Sequence, residues 1–205
     1  TQVEATRRII STFVQEALPE GGICIERSLW QLPGRGSAAG SDMFPGKADV
    51  RYLRFLVEAL YRLGALIGED SYSQVADAHV RYMARAMRPD HPTWAWGNAL
   101  EMIGVYHCYR TRDEDLVAAA TDILAWARER AVTVTTTDGV SFRHFPCGYG
   151  LDGAKDAGWT NDLSMFGSGL VWVYELTGDA SVLEDATSFA EYFVQPWRPG
   201  ALGED

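Results

Sequence analysis

A chain of 205 residues with 47% hydrophobic and 22% charged residues has the composition of a globular domain, long enough to bury a sizeable core. Its formal net charge of −10 argues against a nucleic-acid or anionic-membrane surface, because both need a basic face. It has no uncharged apolar run of about 18 residues, so we predict no transmembrane helix. We expect one domain, residues 1–205.

The helical segments alternate in character along the chain, after a first predicted helix at 2–17. Three segments are apolar on almost every side, namely residues 49–66, 96–109 and 162–176. Each is followed by an amphipathic segment, namely residues 71–87, 115–131 and 182–194. A helix that is apolar all round must be surrounded, whereas an amphipathic helix lies at a surface. The alternation predicts an all-α fold of helical hairpins in two layers, in which each inner helix is more buried than the outer helix after it.

A short acidic hinge joins each apolar segment to the amphipathic segment after it. Its acid, at Glu69, Asp113 or Asp179, stands where the second helix begins and can accept hydrogen bonds from free N–H groups there. An apolar residue follows three positions later and an alanine seven positions later, on one face of the helix. These residues are Tyr72, Leu116 and Val182, then Ala76, Ala120 and Ala186. Helix pairs repeated at this interval are typical of solenoids or rings of hairpins.

Residues 132–145 interrupt the helical pattern. β-Branched residues alternate around Asp138-Gly139, which predicts a β-hairpin and accounts for the longer interval before the third hinge. The connections that follow outer helices are long, and in a ring of hairpins they share one end. We therefore expect the β-hairpin on the same end as His91 and Trp94, away from Gly68 and Gly178.

The long connections carry aromatic and charged side chains together, as loops with binding functions do. Aromatic faces beside polar groups suit sugar rings, whose C–H faces are apolar and whose hydroxyls need partners. The predicted substrate-binding residues are Trp94, Trp96, Trp159, Tyr149, His91 and Asp156. Alternatively, the tryptophans cover the rim of the helical layer.

Three residues are candidates for catalysis. Asp162 opens an apolar helix, either as a first-turn acid favoured by the helix dipole or as a general acid or nucleophile. Glu101 is the lone carboxylate of its helix, with Asn98 three residues before it, and its burial is costly unless it is used or is paired, for example with Arg54. His144 can act as an acid or base near neutral pH or make a structural hydrogen bond.

The hinge sequences at 63–70 and 173–179 resemble those of the six-hairpin (α/α)6 toroid superfamily, over roughly residues 48–194. That superfamily includes glucoamylase-like and unsaturated-glucuronyl hydrolases, N-acylglucosamine 2-epimerase-like isomerases and several polysaccharide lyases. The resemblance implies a carbohydrate-active hydrolase, lyase or epimerase that uses carboxylate acid–base chemistry on its long-loop face. No family's catalytic motif is matched. The chain corresponds to about half of a toroid, so we expect a partial ring that can associate with a second half-ring or with another copy of itself.

Two other functions fit the helical pattern. One is a non-catalytic helical-repeat binding module, and the other is an isoprenoid cyclase or prenyltransferase-like toroid, although the DxDD and Gln-Trp patterns are absent. We predict no cofactor and no metal site. The sequence contains no HxxxH motif, and the loop that carries Asp152 and Asp156 lacks the EF-hand pattern. Three cysteines without CxxC spacing favour a reducing compartment such as the cytoplasm.

Overall fold

The structure is a computed structural model that describes residues 2–15, 21–23, 53–136, 139–145 and 160–194. Its elements in chain order are α1 (Gln2–Gln15), α2 (Leu53–Ile67), α3 (Asp70–Ala86), α4 (Thr93–Tyr109), α5 (Glu114–Arg130), β1 (Val132–Thr135), β2 (Ser141–His144), α6 (Thr160–Thr177) and α7 (Ala180–Val194). The structure is mostly helical, which confirms the predicted all-α class. The arrangement of the hairpins in a ring stays a prediction. None of the described helices is long and apolar enough to cross a membrane.

The chain divides into two compact units. Unit 1 consists of Thr1–Met87 and Met102–Leu116, and unit 2 consists of Arg88–Glu101 and Val117–Asp205. Helices α4 and α5 therefore contribute residues to both units. In unit 1 the helices α2 and α3 pack together and α1 contacts α2, whereas in unit 2 the helix α7 packs against both α6 and β2.

Tight glycine turns connect the two hairpins α2–α3 and α6–α7, as predicted. Gly68 and Gly178 have φ angles of +71° and +67°, a left-handed conformation that glycine adopts without strain. The N–H of Gly178 donates to the carbonyl of Tyr174 (2.7 Å), and the N–H of Glu69 donates to that of Gly64 (3.1 Å). These hydrogen bonds terminate α2 and α6, and the glycine turn lets the next helix run back along each of them.

Two of the three hinge acids cap a helix as predicted. Asp113 Oδ1 accepts the N–H groups of Asp115 (3.1 Å) and Leu116 (3.3 Å), and Asp179 Oδ1 accepts that of Ser181 (2.9 Å). Glu69 occupies the N-cap of α3 without a capping hydrogen bond, so the prediction is wrong at this hinge. Its longer side chain reaches Arg7 instead, at 2.5 Å. Glutamate lacks the short reach that makes aspartate a good cap.

The six spaced residues after the hinges are all buried, which confirms the repeat. The prediction that inner helices are the more buried also holds for α4, which is buried continuously over residues 93–104. Helix α5 buries only one face, formed by Leu116, Val117, Ala120, Ile123, Leu124 and Ala127.

The prediction is wrong for α2 and α3. Helix α3 buries eight residues: Tyr72, Ser73, Ala76, His79, Val80, Tyr82, Met83 and Ala86. Helix α2 leaves Phe55 and Leu66 exposed, at 55% and 69% of their surfaces. An apolar side chain does not have to be buried, so all-round apolar character overstates burial here.

Charged pairs join α3 to the hinge between α4 and α5 within unit 1. Arg81 Nη2 donates to Asp113 Oδ2 at 2.9 Å, and Arg110 Nε donates to Asp77 Oδ1 at 3.0 Å. The hydroxyl of Tyr61 donates to the same Asp77 oxygen at 2.7 Å. Asp113 therefore caps α5 with one oxygen and binds α3 with the other.

The pKa of Asp113 makes this junction sensitive to acid. Partial burial acts to raise the pKa, but hydrogen bonds from Arg81 and from the backbone of Leu116 outweigh it and hold the pKa below the ordinary 3.8. A carboxylate of this kind stabilises the fold above its unfolded pKa, and the stabilisation is lost as the pH falls through its folded pKa.

Replacing Asp113 by asparagine should lower the free energy of unfolding by about 1 kcal/mol at neutral pH. Asparagine can still cap the helix, so the loss reports the charge next to Arg81. Chemical denaturation at a series of pH values should show the two proteins converging in acid. The neighbouring exposed Asp115→Asn is the control and should change stability by only a few tenths of a kcal/mol. If both substitutions lowered the free energy of unfolding equally, the result would contradict a stabilising role for the Asp113 charge next to Arg81.

Strands β1 and β2 form the predicted hairpin. They pair antiparallel, with Val132 opposite His144 and Thr135 opposite Ser141. Gly139 has a φ of +86°, and its N–H donates to the carbonyl of Thr136 at 2.9 Å. Asp138 lies outside the described residues.

The position of the hairpin differs in part from the expectation. Arg143 in β2 pairs with Asp185, and its backbone N–H donates to Ser188 Oγ at 2.6 Å. Both partners lie in the middle part of α7. The hairpin therefore lies along α7 instead of standing wholly at the opposite end from the hinge at Gly178. The buried Asp185 carboxylate, which attracts the Arg143 guanidinium, is the physical reason.

Candidate functional site

Helices α4 and α6 approach closely at two glycines in unit 2. A Cβ atom at Gly97 would lie 2.8 Å from the backbone nitrogen of Phe166, and one at Gly169 would lie 2.8 Å from Cβ of Leu100. Only residues without a side chain permit this separation. The close approach brings the polar side chains next to these glycines together.

Glu101 and Ser168 meet at this crossing. Glu101 is only 3% exposed, and its Oε1 atom accepts a hydrogen bond from the Ser168 hydroxyl. A carboxylate in such surroundings is expensive to bury unless it is hydrogen-bonded. Ser168 thus supplies one partner for the lone carboxylate of α4.

Asn98 lies one turn before Glu101 and is fully buried. Its Nδ2 atom donates to the carbonyl of Trp94 at 2.8 Å. Its Oδ1 atom has no hydrogen-bond partner among the described residues. An unsatisfied buried acceptor costs about 1–3 kcal/mol, so this oxygen stands out among the buried polar groups of the α4–α6 crossing.

Two of the three tryptophans predicted as sugar platforms lie in the described part of the chain, and both are buried, Trp94 at 2% and Trp96 at 0% exposure. Trp96 Nε1 donates to the carbonyl of Arg88 at 3.0 Å. The guanidinium of Arg130 lies 4.6 Å from the Trp96 ring centre, and the ring of Trp126 lies 6.3 Å away. This packing gives Trp96 a role in the core and does not support a role as an open platform.

His91 is mostly buried beside these residues. Its carbonyl accepts a hydrogen bond from Arg130 Nη1 at 2.9 Å. Burial lowers the pKa of the His91 imidazole, Arg88 and Arg130 lower it further, and Asp90 opposes them. His91 is therefore neutral near pH 7, when it can accept as well as donate a hydrogen bond.

His144 lies at the end of β2, opposite Val132. Exposure alternates along this strand, so that Phe142 and His144 are buried while Ser141 and Arg143 are exposed. Successive side chains of a strand point to opposite faces, so the His144 side chain lies on the buried face of the hairpin and not on its exposed face.

Asp162 lies in the first turn of α6, six residues before Ser168, and its side chain lies outside the described residues. Trp159, Tyr149 and Asp156 lie outside the described residues as well. The site therefore joins Glu101 and Asn98, which the sequence indicated, to Ser168, which sequence reasoning missed. The signal for Ser168 was its position between Gly167 and Gly169 in an otherwise apolar helix.

Within the described part of the chain, no group of three or more histidine, cysteine, aspartate or glutamate side chains is placed to hold a metal ion. Cys108 is a free, exposed cysteine. The described polar groups of the α4–α6 crossing are a carboxylate, an amide and a hydroxyl.

Comparison with known proteins identifies no family. No family model matches the chain, and no curated protein and no solved structure matches it significantly. The resemblance to six-hairpin toroids therefore rests on the hinge residues alone.

Proposed function

We propose that this chain is part of a carbohydrate-active enzyme, a hydrolase, lyase or epimerase, whose site lies at the α4–α6 crossing. The observation that carries the proposal is the unsatisfied Oδ1 atom of Asn98 one turn from the buried carboxylate of Glu101. Asn98 and Glu101 are both buried, so this proposal requires the α4–α6 crossing to open before a sugar hydroxyl can donate to Asn98. The same sugar can exchange a proton with Glu101 when the two lie within hydrogen-bond reach.

In this proposal Glu101 is the acid or base, and Ser168 fixes the orientation of its carboxylate. Asp162, at the start of α6, is the second carboxylate, and His144 is a further acid–base group. Two carboxyl groups about 5 Å apart support retention at a glycosidic bond, and about 6.5–9.5 Å apart they support inversion. Exclusion of water around Glu101 strengthens its electrostatic interactions with a reacting group.

A non-catalytic helical-repeat binding module is the second candidate. It is supported by the recurring arginine–aspartate pairs that link one helix to another, Arg81 with Asp113 in unit 1 and Arg128 with Asp185 in unit 2. Repeated contacts of this kind between neighbouring hairpins stabilise a scaffold and require no catalytic group. The burial of Trp96 agrees with this alternative too.

A panel of neutral and uronic-acid oligosaccharides tests the two candidates. We expect at least one member to be cleaved, eliminated or epimerised, as detected by chromatography of the reaction mixture. Saturable binding without conversion, measured by calorimetry, would favour the binding module. The absence of both binding and conversion over the whole panel would contradict the carbohydrate proposal.

A further inference from the structure

A pocket of about 440 Å³ lies between the β-hairpin, the end of α5 and one side of α7 in unit 2. Its volume falls within the range of small-molecule sites. It contains none of the residues assigned to the α4–α6 site. Four hydroxyl groups line it, those of Thr133, Ser141, Ser181 and Ser188.

The charged groups of this pocket balance one another. Asp185 is buried and accepts from Arg128 Nε on one oxygen, at 2.6 Å, and from Arg143 on the other. Two guanidinium groups thus share one carboxylate. Glu184 is exposed, lines the same pocket and forms no ion pair within the described part of the chain. Two positive and two negative groups favour neither an anionic nor a cationic ligand.

The hydrogen-bonding groups of the pocket include both donors and acceptors. Arg128 Nη2 donates to Ser181 Oγ at 2.8 Å, which leaves Nη1 of the same guanidinium without a partner among the described residues. Ser188 Oγ accepts the backbone N–H of Arg143 and keeps its own hydrogen for donation. Glu184 offers an acceptor. A ligand with two neighbouring hydroxyl groups matches these donors and acceptors of the pocket, because each hydroxyl can both donate and accept a hydrogen bond.

We infer that this pocket binds a neutral polyhydroxylated ligand, a saccharide unit, held by Arg128, Ser188 and Glu184. The inference does not depend on catalysis at Glu101. The pocket is a separate saccharide site on the exposed face of the β-hairpin.

Titration of ¹⁵N-labelled protein with glucose, galactose, mannose and their disaccharides tests the inference. We expect at least one sugar to shift the amide resonances of Thr133, Ser141 and Ser188 in a saturable way. Glu184→Gln should weaken this binding about tenfold or more, the effect of losing a hydrogen bond to a charged group. Glu175→Gln, at another exposed glutamate, is the matched control and should leave the affinity unchanged.

Three results would overturn the inference: no saturable shift with any of these sugars, saturation of the same amides by inorganic phosphate or putrescine instead of a sugar, or unchanged affinity in Glu184→Gln. The amide shifts of Thr133, Ser141 and Ser188 report this pocket, whereas turnover of an oligosaccharide reports the α4–α6 crossing. Failure of the catalytic proposal and failure of this inference are therefore distinguishable.

Discussion

Replacing Glu101 by glutamine is expected to lower the turnover of an oligosaccharide substrate by about 10²–10⁴-fold, the contribution of a general acid or base. Glutamine keeps the size of the side chain and an oxygen that can accept the Ser168 hydroxyl, but it cannot exchange a proton. Turnover and thermal unfolding should be measured on the same preparation.

The matched control for this experiment is Glu175→Gln, which removes an exposed carboxylate from α6. It should retain both activity and stability. If Glu101 is only structural, its substitution should change the unfolding temperature and leave turnover intact. That outcome would remove Glu101 from the mechanism.

Acid should destabilise unit 1 through His79. This residue is fully buried, and its Nδ1 atom accepts the backbone N–H of Ile23 at 3.0 Å. Burial lowers the pKa of His79 from 6.5 to about 3. The unfolded chain therefore takes up a proton at a pH where the folded chain does not. Stability is complete above pH 6.5 and falls by about 1.4 kcal/mol per pH unit as the pH drops towards 3.

His79→Gln should flatten this dependence, because glutamine can still accept the N–H of Ile23 but does not titrate. The free energy of unfolding should be compared between pH 6.5 and 5, where ordinary carboxylates stay ionised. The difference in slope between the two proteins isolates His79, since other groups titrate equally in both. Identical slopes would show that the imidazole is protonated equally in the folded and unfolded chains.

The helical repeat was predictable because it depends on local patterns. Spacing alone identified the buried face after each hinge, and β-branched residues around Gly139 identified the hairpin. Local chemistry was misjudged at Glu69, where side-chain length decides between capping and an ion pair with Arg7. It was also misjudged at α2, where apolar residues on every side did not mean burial on every side.

The site was predictable only in part, because its partners are far apart in sequence. Glu101 and Asn98 stood out as polar residues on an apolar helix. Ser168 lies 67 residues from Glu101 in the sequence. Hydrophobic periodicity predicts which face of a helix is buried, but it does not predict which other helix packs against that face. The glycines at 97 and 169 that bring α4 and α6 together act by the absence of a side chain. Trp96 could not be told from a binding residue, since its burial depends on Arg130 and Trp126.

The central claim is that Glu101 and Asp162 act together on one bond of a carbohydrate. A double-mutant cycle of Glu101→Gln and Asp162→Asn measures this cooperation, with Asp122→Asn at an exposed position of α5 as control. A first-turn acid without a catalytic role would lose only about 0.3–1 kcal/mol of stability and no activity.

Turnover by the four proteins of this cycle is the decisive measurement. If both carboxylates serve the same step, each single substitution should lower turnover by orders of magnitude. The turnover of the double variant should then be only slightly lower than that of the less active single variant. Full activity in either single variant, or losses that simply multiply in the double variant, would contradict a shared role for the two carboxylates.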